Sequence, residues 1–168
     1  SLLDRSCTGL SSSTGYGCYH GPGRGAGNSI NALIDAYLLT GSKHYLEEAE
    51  KLIKRCIHPK DDIEKRGFLE PEKRWSYTVF LQVLGKYLDM KDELGQRDHI
   101  YCYARESLLH YARWMFKNEY IYLEKPERLE YPTETWAAQE MRKTNAMLFA
   151  AKYSDNSERS NFIDKAKF

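Results

Sequence analysis

The sequence predicts an all-α protein, and three features of its pattern lead to that fold class. Apolar residues recur at the helical spacing of i, i+3, i+4 and i+7 in successive stretches of the chain. Broadly apolar helices alternate with strongly amphipathic ones. The ends of the broadly apolar helices form a weak repeat of roughly 50 to 65 residues: Ala36-Tyr37-Leu38, Lys86-Tyr87-Leu88 and Lys152-Tyr153. A helical unit repeated at such a period is typical of stacked antiparallel hairpins.

The first unit begins with a glycine-rich stretch. Glycines at positions 21, 23, 25 and 27 predict an open, bendable segment, and the apolar spacing indicates a helix from Asn28 onward. The polar residues at this helix form one narrow stripe: Arg24, Asn28, Asn31 and Asp35. Because its other faces are apolar, we expect the helix to be nearly all buried and to line a polar cavity. Gly41 ends it, and a half-buried amphipathic helix running to Cys56 follows as its antiparallel neighbour.

Two more units follow the same plan. A broadly apolar helix from about Trp75 to Met90 precedes an amphipathic one from about Arg97 to Lys117. A third broadly apolar helix, capped by Thr133, ends near residue 153, and one more amphipathic helix begins before the end of the chain. Proline-containing surface loops at 58–74 and 118–132 connect the units. We therefore expect about six helices in a single domain, with residues 1–27 mostly loop.

Composition narrows the classes of partner. The net charge is +1 over 168 residues, which gives no bulk electrostatic attraction to nucleic acid or anionic lipid. No apolar run approaches the roughly 18 residues of a membrane span. The four cysteines are widely spaced and are interpreted as reduced thiols, which slightly favours a cytoplasmic location but leaves the compartment open. We therefore expect neither nucleic acid nor a membrane as a partner.

Two stretches resemble the helical-hairpin units of α/α-toroid proteins, namely GRGAGNSINALIDAYLLTGSKHYLEEAEKLI and YPTETWAAQEMRKTNAMLFAAKY. This architecture includes six-hairpin glycosidases, polysaccharide lyases and sugar 2-epimerases. The resemblance covers most of residues 20–168 and is one of architecture, without a catalytic motif. It implies that glycine-rich loops before the inner helices line a substrate cleft, usually for carbohydrate.

A complete toroid has about twelve helices, so about six make half of a ring. The chain also begins with Ser1 rather than Met. We therefore expect it to belong to a longer protein, or to a homo-oligomer that completes the ring.

The resemblance implies that the N-terminus of each inner helix lies at the cleft. That end collects aromatic and polar residues from all three units: Tyr16, Tyr19, His20, Arg24, Asn28, Asn31, Trp75, Tyr77, Tyr131, Glu134, Trp136 and Glu140. Aromatic rings stack on the apolar faces of sugars, while amides, guanidinium groups and carboxylates bind the hydroxyls, which predicts a carbohydrate ligand. The alternative for each aromatic residue is a core position with a satisfied polar tip.

Three residues of this set are the candidates for catalysis. Glu134 and His20 would act as general acid and base on a glycan, and Arg24 would hold an acidic or hydroxyl group. Two of them have an alternative role, since the helix dipole alone favours a carboxylate such as Glu134 in a first turn, and Arg24 could tie two loops together. The sequence does not distinguish hydrolysis, β-elimination and epimerisation.

The sequence gives weaker support for a metal site and for a phosphate-binding loop. Cys18 with His20 and Cys56 with His58 form two Cys-x-His pairs that could bind zinc, although Cys56 also fits the apolar face of its helix. The GPGRGAG stretch lacks the Lys-Ser/Thr of a phosphate-binding loop, and we expect no cofactor. The rival to an enzyme is a non-catalytic helical-repeat scaffold that binds a protein or peptide on its concave face.

Overall fold

The computed structural model describes residues 21–167, which form seven α-helices and no β-strand. The helices are α1 (Arg24–Thr40), α2 (Lys43–Cys56), α3 (Pro71–Arg74), α4 (Tyr77–Glu93), α5 (His99–Asn118), α6 (Thr135–Tyr153) and α7 (Asn156–Ala166). Short 3₁₀ turns lie in the two long connections, at Glu64–Arg66, Tyr122–Glu124 and Pro126–Arg128. The prediction of an all-α protein is confirmed. The expected number of about six helices is wrong by one, because α3 is a single four-residue turn that begins at Pro71, inside the stretch predicted as a surface loop. No helix in this part of the chain is long and apolar enough to cross a membrane.

Helix α4 lies at the centre of the fold. It packs against α1, α5 and α6, and 12 of its 17 residues are buried. The sequence of α4 is broadly apolar because neighbouring helices cover it on several sides. Its buried set includes a lysine, Lys91, which ion-pairs with Asp98 at 2.6 Å and Glu50 at 3.3 Å.

Helices α1, α4 and α6 form a row and run in the same direction. Toward their C-terminal ends, Lys86 of α4 contacts Asp35 of α1 at 2.7 Å. Nearer the N-terminal ends, the guanidinium of Arg142 in α6 lies 3.2 Å from the Gln82 side chain of α4. The N-termini of the three helices are therefore side by side at one end of the protein.

Glycines allow the helices of this row to approach closely. A methyl group at Gly27 of α1 would lie 3.2 Å from the Cα of Phe80 in α4. A methyl group at Gly85 of α4 would lie 2.2 Å from the ring of Phe149 in α6. Gly27 thus serves helix packing, and α1 begins at Arg24, one turn before the start that the apolar spacing indicates.

The expected burial of the first helix is wrong for α1. Ala32 is exposed, and Leu38 and Leu39 are 56% and 87% exposed. The reason is position, because α1 is at one end of the row and packs mainly against α2 and α4. Helices α1 and α4 have similar apolar content in sequence, but within the row only α4 has a helix on each side, α1 and α6.

Candidate functional site

The row of helices carries a continuous polar surface, which we call the polar face. Its residues are Arg24, Asn28, Asn31 and Asp35 of α1, Trp75, Gln82, Lys86 and Asp89 before and on α4, and Gln139, Arg142 and Lys152 of α6. The predicted polar stripe of α1 is therefore one edge of a surface that spans three helices.

Trp75 is the centre of the N-terminal end of the polar face. The guanidinium carbons of Arg24 and Arg142 lie 5.9 and 6.0 Å from its ring centroid. Trp75 is partly buried, and its inner side packs against the cluster that contains Tyr122 and Trp136. Both distances are at the outer limit of roughly 6 Å for a cation–π contact, so the arginines approach the ring without being packed tightly against it.

Two amides hold the guanidinium of Arg142. Its Nε donates to the side-chain oxygen of Gln139 at 3.1 Å, and Nη1 donates to that of Gln82 at 3.2 Å. Because amides are neutral, these bonds orient the group without neutralising its charge.

The two ends of the polar face differ in charge. Within residues 21–167, neither Arg24 nor Arg142 has a carboxylate at ion-pair distance. At the C-terminal end, Lys86 contacts Asp35, and Lys152 contacts Asp89 at 2.8 Å. Among the described residues, the positive charges at the C-terminal end are therefore paired with carboxylates, whereas those of Arg24 and Arg142 beside Trp75 are not.

A second polar cluster, which we call the buried network, joins α4, α5 and α6. Its members are Tyr77, Glu119, Glu140 and Lys143. The Lys143 ammonium lies 2.9 Å from the Glu119 carboxylate and 3.2 Å from that of Glu140, and the Tyr77 hydroxyl donates to Glu119. Burial, reinforced by the Glu119 carboxylate, raises the pKa of Tyr77 far above its ordinary value.

A pocket of about 270 Å³ lies beside this network, between α5, α6 and α7. Met115 and Met147 provide apolar walls, and Glu140, Lys143 and Lys165 provide polar ones. Lys165 donates to the main-chain oxygen of Glu119 at 2.6 Å, and burial lowers the pKa of its amine. The volume of this pocket is below the range of about 300–1,000 Å³ typical of ligand pockets.

Comparison with known proteins does not assign the chain. No family model matches it, and no match is found among curated proteins or solved structures.

The structure brings some of the predicted site residues together and separates others. Arg24, Asn28, Asn31 and Trp75 share the polar face, although Asn31 is already engaged with Lys86 at 2.8 Å. Tyr77 and Glu140 belong instead to the buried network, and Tyr77 has no exposed surface to offer a ligand.

The remaining predicted residues lie at the start of α6. Glu134 is the exposed N-cap residue, in place of Thr133, and Tyr131 is 70% exposed. Trp136 is 9% exposed, and its indole N–H donates to the Tyr131 main-chain oxygen at 3.1 Å. Trp136 is thus mainly a packing residue, the alternative that the sequence left open.

Tyr16, Cys18, Tyr19 and His20 lie outside the described residues, so their roles stay predictions. Cys56 is buried, which raises the pKa of its thiol to about 11, whereas His58 is exposed. Over residues 21–167, no group of three or more His, Cys, Asp and Glu side chains is arranged to hold a metal.

Sequence reasoning missed Arg142 and Gln139. Arg142 contacts Gln82 of α4 from the first half of α6, and Gln139 lies three residues before it, the spacing of one helical stripe. The same polar-stripe argument that identified Arg24 and Asn28 would have found them. The ion pair between Lys143 and Glu119 could not be predicted from helical spacing, because the two residues are distant in sequence.

Proposed function

We propose that this protein is a carbohydrate-active domain with an α/α-toroid architecture, and that the N-terminal end of the polar face forms part of its sugar cleft. The observation that carries the proposal is the cluster of Trp75 with Arg24 and Arg142. An aromatic ring beside guanidinium and amide groups is the combination that binds both the apolar face and the hydroxyls of a sugar.

The position of the cluster supports the proposal. Arg24 begins α1, Trp75 precedes α4, and Arg142 lies in the second turn of α6. This is the end of the inner helices at which the toroid resemblance implies a substrate cleft. The parallel α1, α4 and α6, each followed along the chain by a helix that packs against it, would be three of the six hairpins of a ring. The rest of the cleft would come from a longer chain or from a homo-oligomer.

As an enzyme, the domain would be a glycan hydrolase, lyase or epimerase that uses acid–base chemistry. Glu134 is the candidate on the described part of the chain, because its exposed carboxylate is free of the buried network. His20 is the second candidate. Glu134→Gln should abolish turnover of a glycan substrate while leaving its binding intact.

The scaffold alternative is favoured by a different observation. Met141 and Leu148 of α6 are 64% and 48% exposed, and Leu39 at the end of α1 is 87% exposed. Exposed apolar side chains on the outer helices of the row suit a protein or peptide partner better than a sugar.

A thermal-shift screen against neutral and uronate-containing oligosaccharides tests the proposal. A ligand at one hundred times its Kd should stabilise the protein by about 2.7 kcal/mol, which is several degrees in Tm for a domain of this size. Trp75→Ala should abolish the shift. His44→Ala, which removes an exposed aromatic ring from α2, should retain it. If no glycan raises the Tm, or if a glycan still raises it in Trp75→Ala, the proposal is contradicted.

A further inference from the structure

We propose that the ligand of the polar face carries an acidic group, which binds to the guanidinium groups of Arg24 and Arg142 beside Trp75. This inference rests on the proposed carbohydrate function and adds the class of sugar, an anionic glycan rather than a neutral one. The charges at the C-terminal end of the polar face are paired in salt bridges, and those of Arg24 and Arg142 are not paired within residues 21–167.

The arginines are available for an anion. Arg24 is exposed, Arg142 is partly buried, and neither has a carboxylate partner within residues 21–167. Only Nε and Nη1 of Arg142 contact amides, at 3.1 and 3.2 Å. Within residues 21–167 its second terminal nitrogen has no hydrogen-bond partner and can donate to a ligand, and guanidinium N–H groups match the geometry of a carboxylate or sulfate.

The acidic residues of the polar face cannot take over this role of counter-ion. Asp35 is held by Lys86 and Asn31, and Asp89 is held by Lys152 and Tyr153, all toward the C-terminal ends of the helices. A neutral sugar would leave two positive charges near one ring uncompensated. An acidic sugar would supply the missing charge, and charge-assisted hydrogen bonds are about twice as strong as neutral ones.

The position of Arg142 is set by its neighbours, which makes it the stronger determinant of specificity. Gln82 and Gln139 fix the guanidinium before a ligand arrives, so less side-chain entropy is lost on binding. Arg24 is exposed, and within residues 21–167 its side chain contacts the Trp75 ring alone, so it contributes charge more than orientation.

The test compares two matched probes, a trisaccharide of galacturonate and the neutral trisaccharide of galactose, by isothermal titration calorimetry. We expect the acidic probe to bind at least about tenfold more tightly, with an affinity that falls as sodium chloride is raised from 50 to about 300 mM. Arg142→Gln should reduce binding of the acidic probe by about tenfold, and Arg142→Lys should restore part of the loss. Lys152→Gln, at the salt-bridged end of the same face, is the control and should bind like wild type.

Equal affinity for the two probes would overturn the inference and leave the proposed function standing. So would tight binding of the acidic probe that survives both Arg142→Gln and Arg24→Gln. Failure of both probes to bind wild-type protein would count against the proposed function itself. Circular dichroism of each variant establishes that it is folded.

Discussion

The polar face and the buried network use the same types of side chain in opposite surroundings. In the buried network, Lys143 is 7% exposed and touches two carboxylates and a main-chain oxygen. On the polar face, Arg142 donates to two neutral amides and lies 6.0 Å from the centroid of one aromatic ring. A buried charge must be fully compensated by the protein, whereas a charge at the surface can be left for a ligand. The contrast predicts that the buried network serves stability and that the polar face serves the proposed binding.

The largest effect is expected from Lys143→Met, which removes the central cation of the buried network. Glu119 would remain buried and unpaired, and breaking a buried ion pair in this way costs about 3–5 kcal/mol of unfolding free energy. Chemical denaturation measures the loss. Lys117→Met, at an exposed position of α5, should change stability by less than about 0.5 kcal/mol. Equal stability of the two variants would mean that the network does not hold the fold.

Gly85→Ala should cause the next largest loss of stability, because the added methyl group would lie 2.2 Å from the ring of Phe149. Overpacking should exceed the gain in helix propensity and destabilise the protein by about 1–2 kcal/mol. The substitution would also move α6 away from α4 and so disturb the contact between Arg142 and Gln82. Phe149→Leu should relieve the clash in the double variant. Additive losses in stability from the two substitutions would contradict this packing account.

Tyr122→Phe should stabilise the protein. The Tyr122 hydroxyl is buried and has no hydrogen-bond partner among the described residues, so removing it should recover up to about 1 kcal/mol. The Lys143 ammonium, 3.2 Å from the centroid of the Tyr122 ring, would keep its aromatic contact. A loss of stability in thermal unfolding would show that the hydroxyl has a partner in solution.

The smallest effect on stability is expected at the salt-bridged end of the polar face. Lys86 is 40% exposed in its ion pair with Asp35, so Lys86→Met should cost only about 0.2–1 kcal/mol, with less at high salt. Glycan binding should be unchanged by this substitution. A drop in affinity comparable with that of Arg142→Gln would extend the binding site along the whole face.

Local pattern predicted the six long helices and one edge of the candidate site, but neither the four-residue α3 nor the first turn of α1. Arg24 and Asn28 followed from stripe spacing, and Trp75 from its place at the predicted start of a broadly apolar helix. The burial of Tyr77 and Glu140 could not be predicted in the same way, because it depends on Lys143 and Glu119 meeting across three helices. Spacing identifies the face of one helix, but only the packing of neighbours decides whether that face binds a ligand or joins the core.

The role of the glycine-rich start of α1 also depends on a neighbouring helix and not on local sequence. Gly27 is interpreted from sequence as part of a flexible segment, yet the structure has it inside a helix, against the backbone of Phe80. Glycine permits both an irregular loop and a close helix contact. Local sequence cannot choose between them, because the helix that approaches Gly27 begins about fifty residues later.

The most direct test of the account uses the three tryptophan indole N–H signals of the protein in a two-dimensional ¹H–¹⁵N NMR titration with the galacturonate trisaccharide. Trp114 and Trp136 donate their indole N–H groups to Glu64 and to the Tyr131 main chain, so they serve as internal controls. We predict that the Trp75 signal, assigned with Trp75→Phe, shifts with saturation while the other two stay in place. Movement of the Trp136 signal instead, or of none of the three, would contradict a binding site on the polar face.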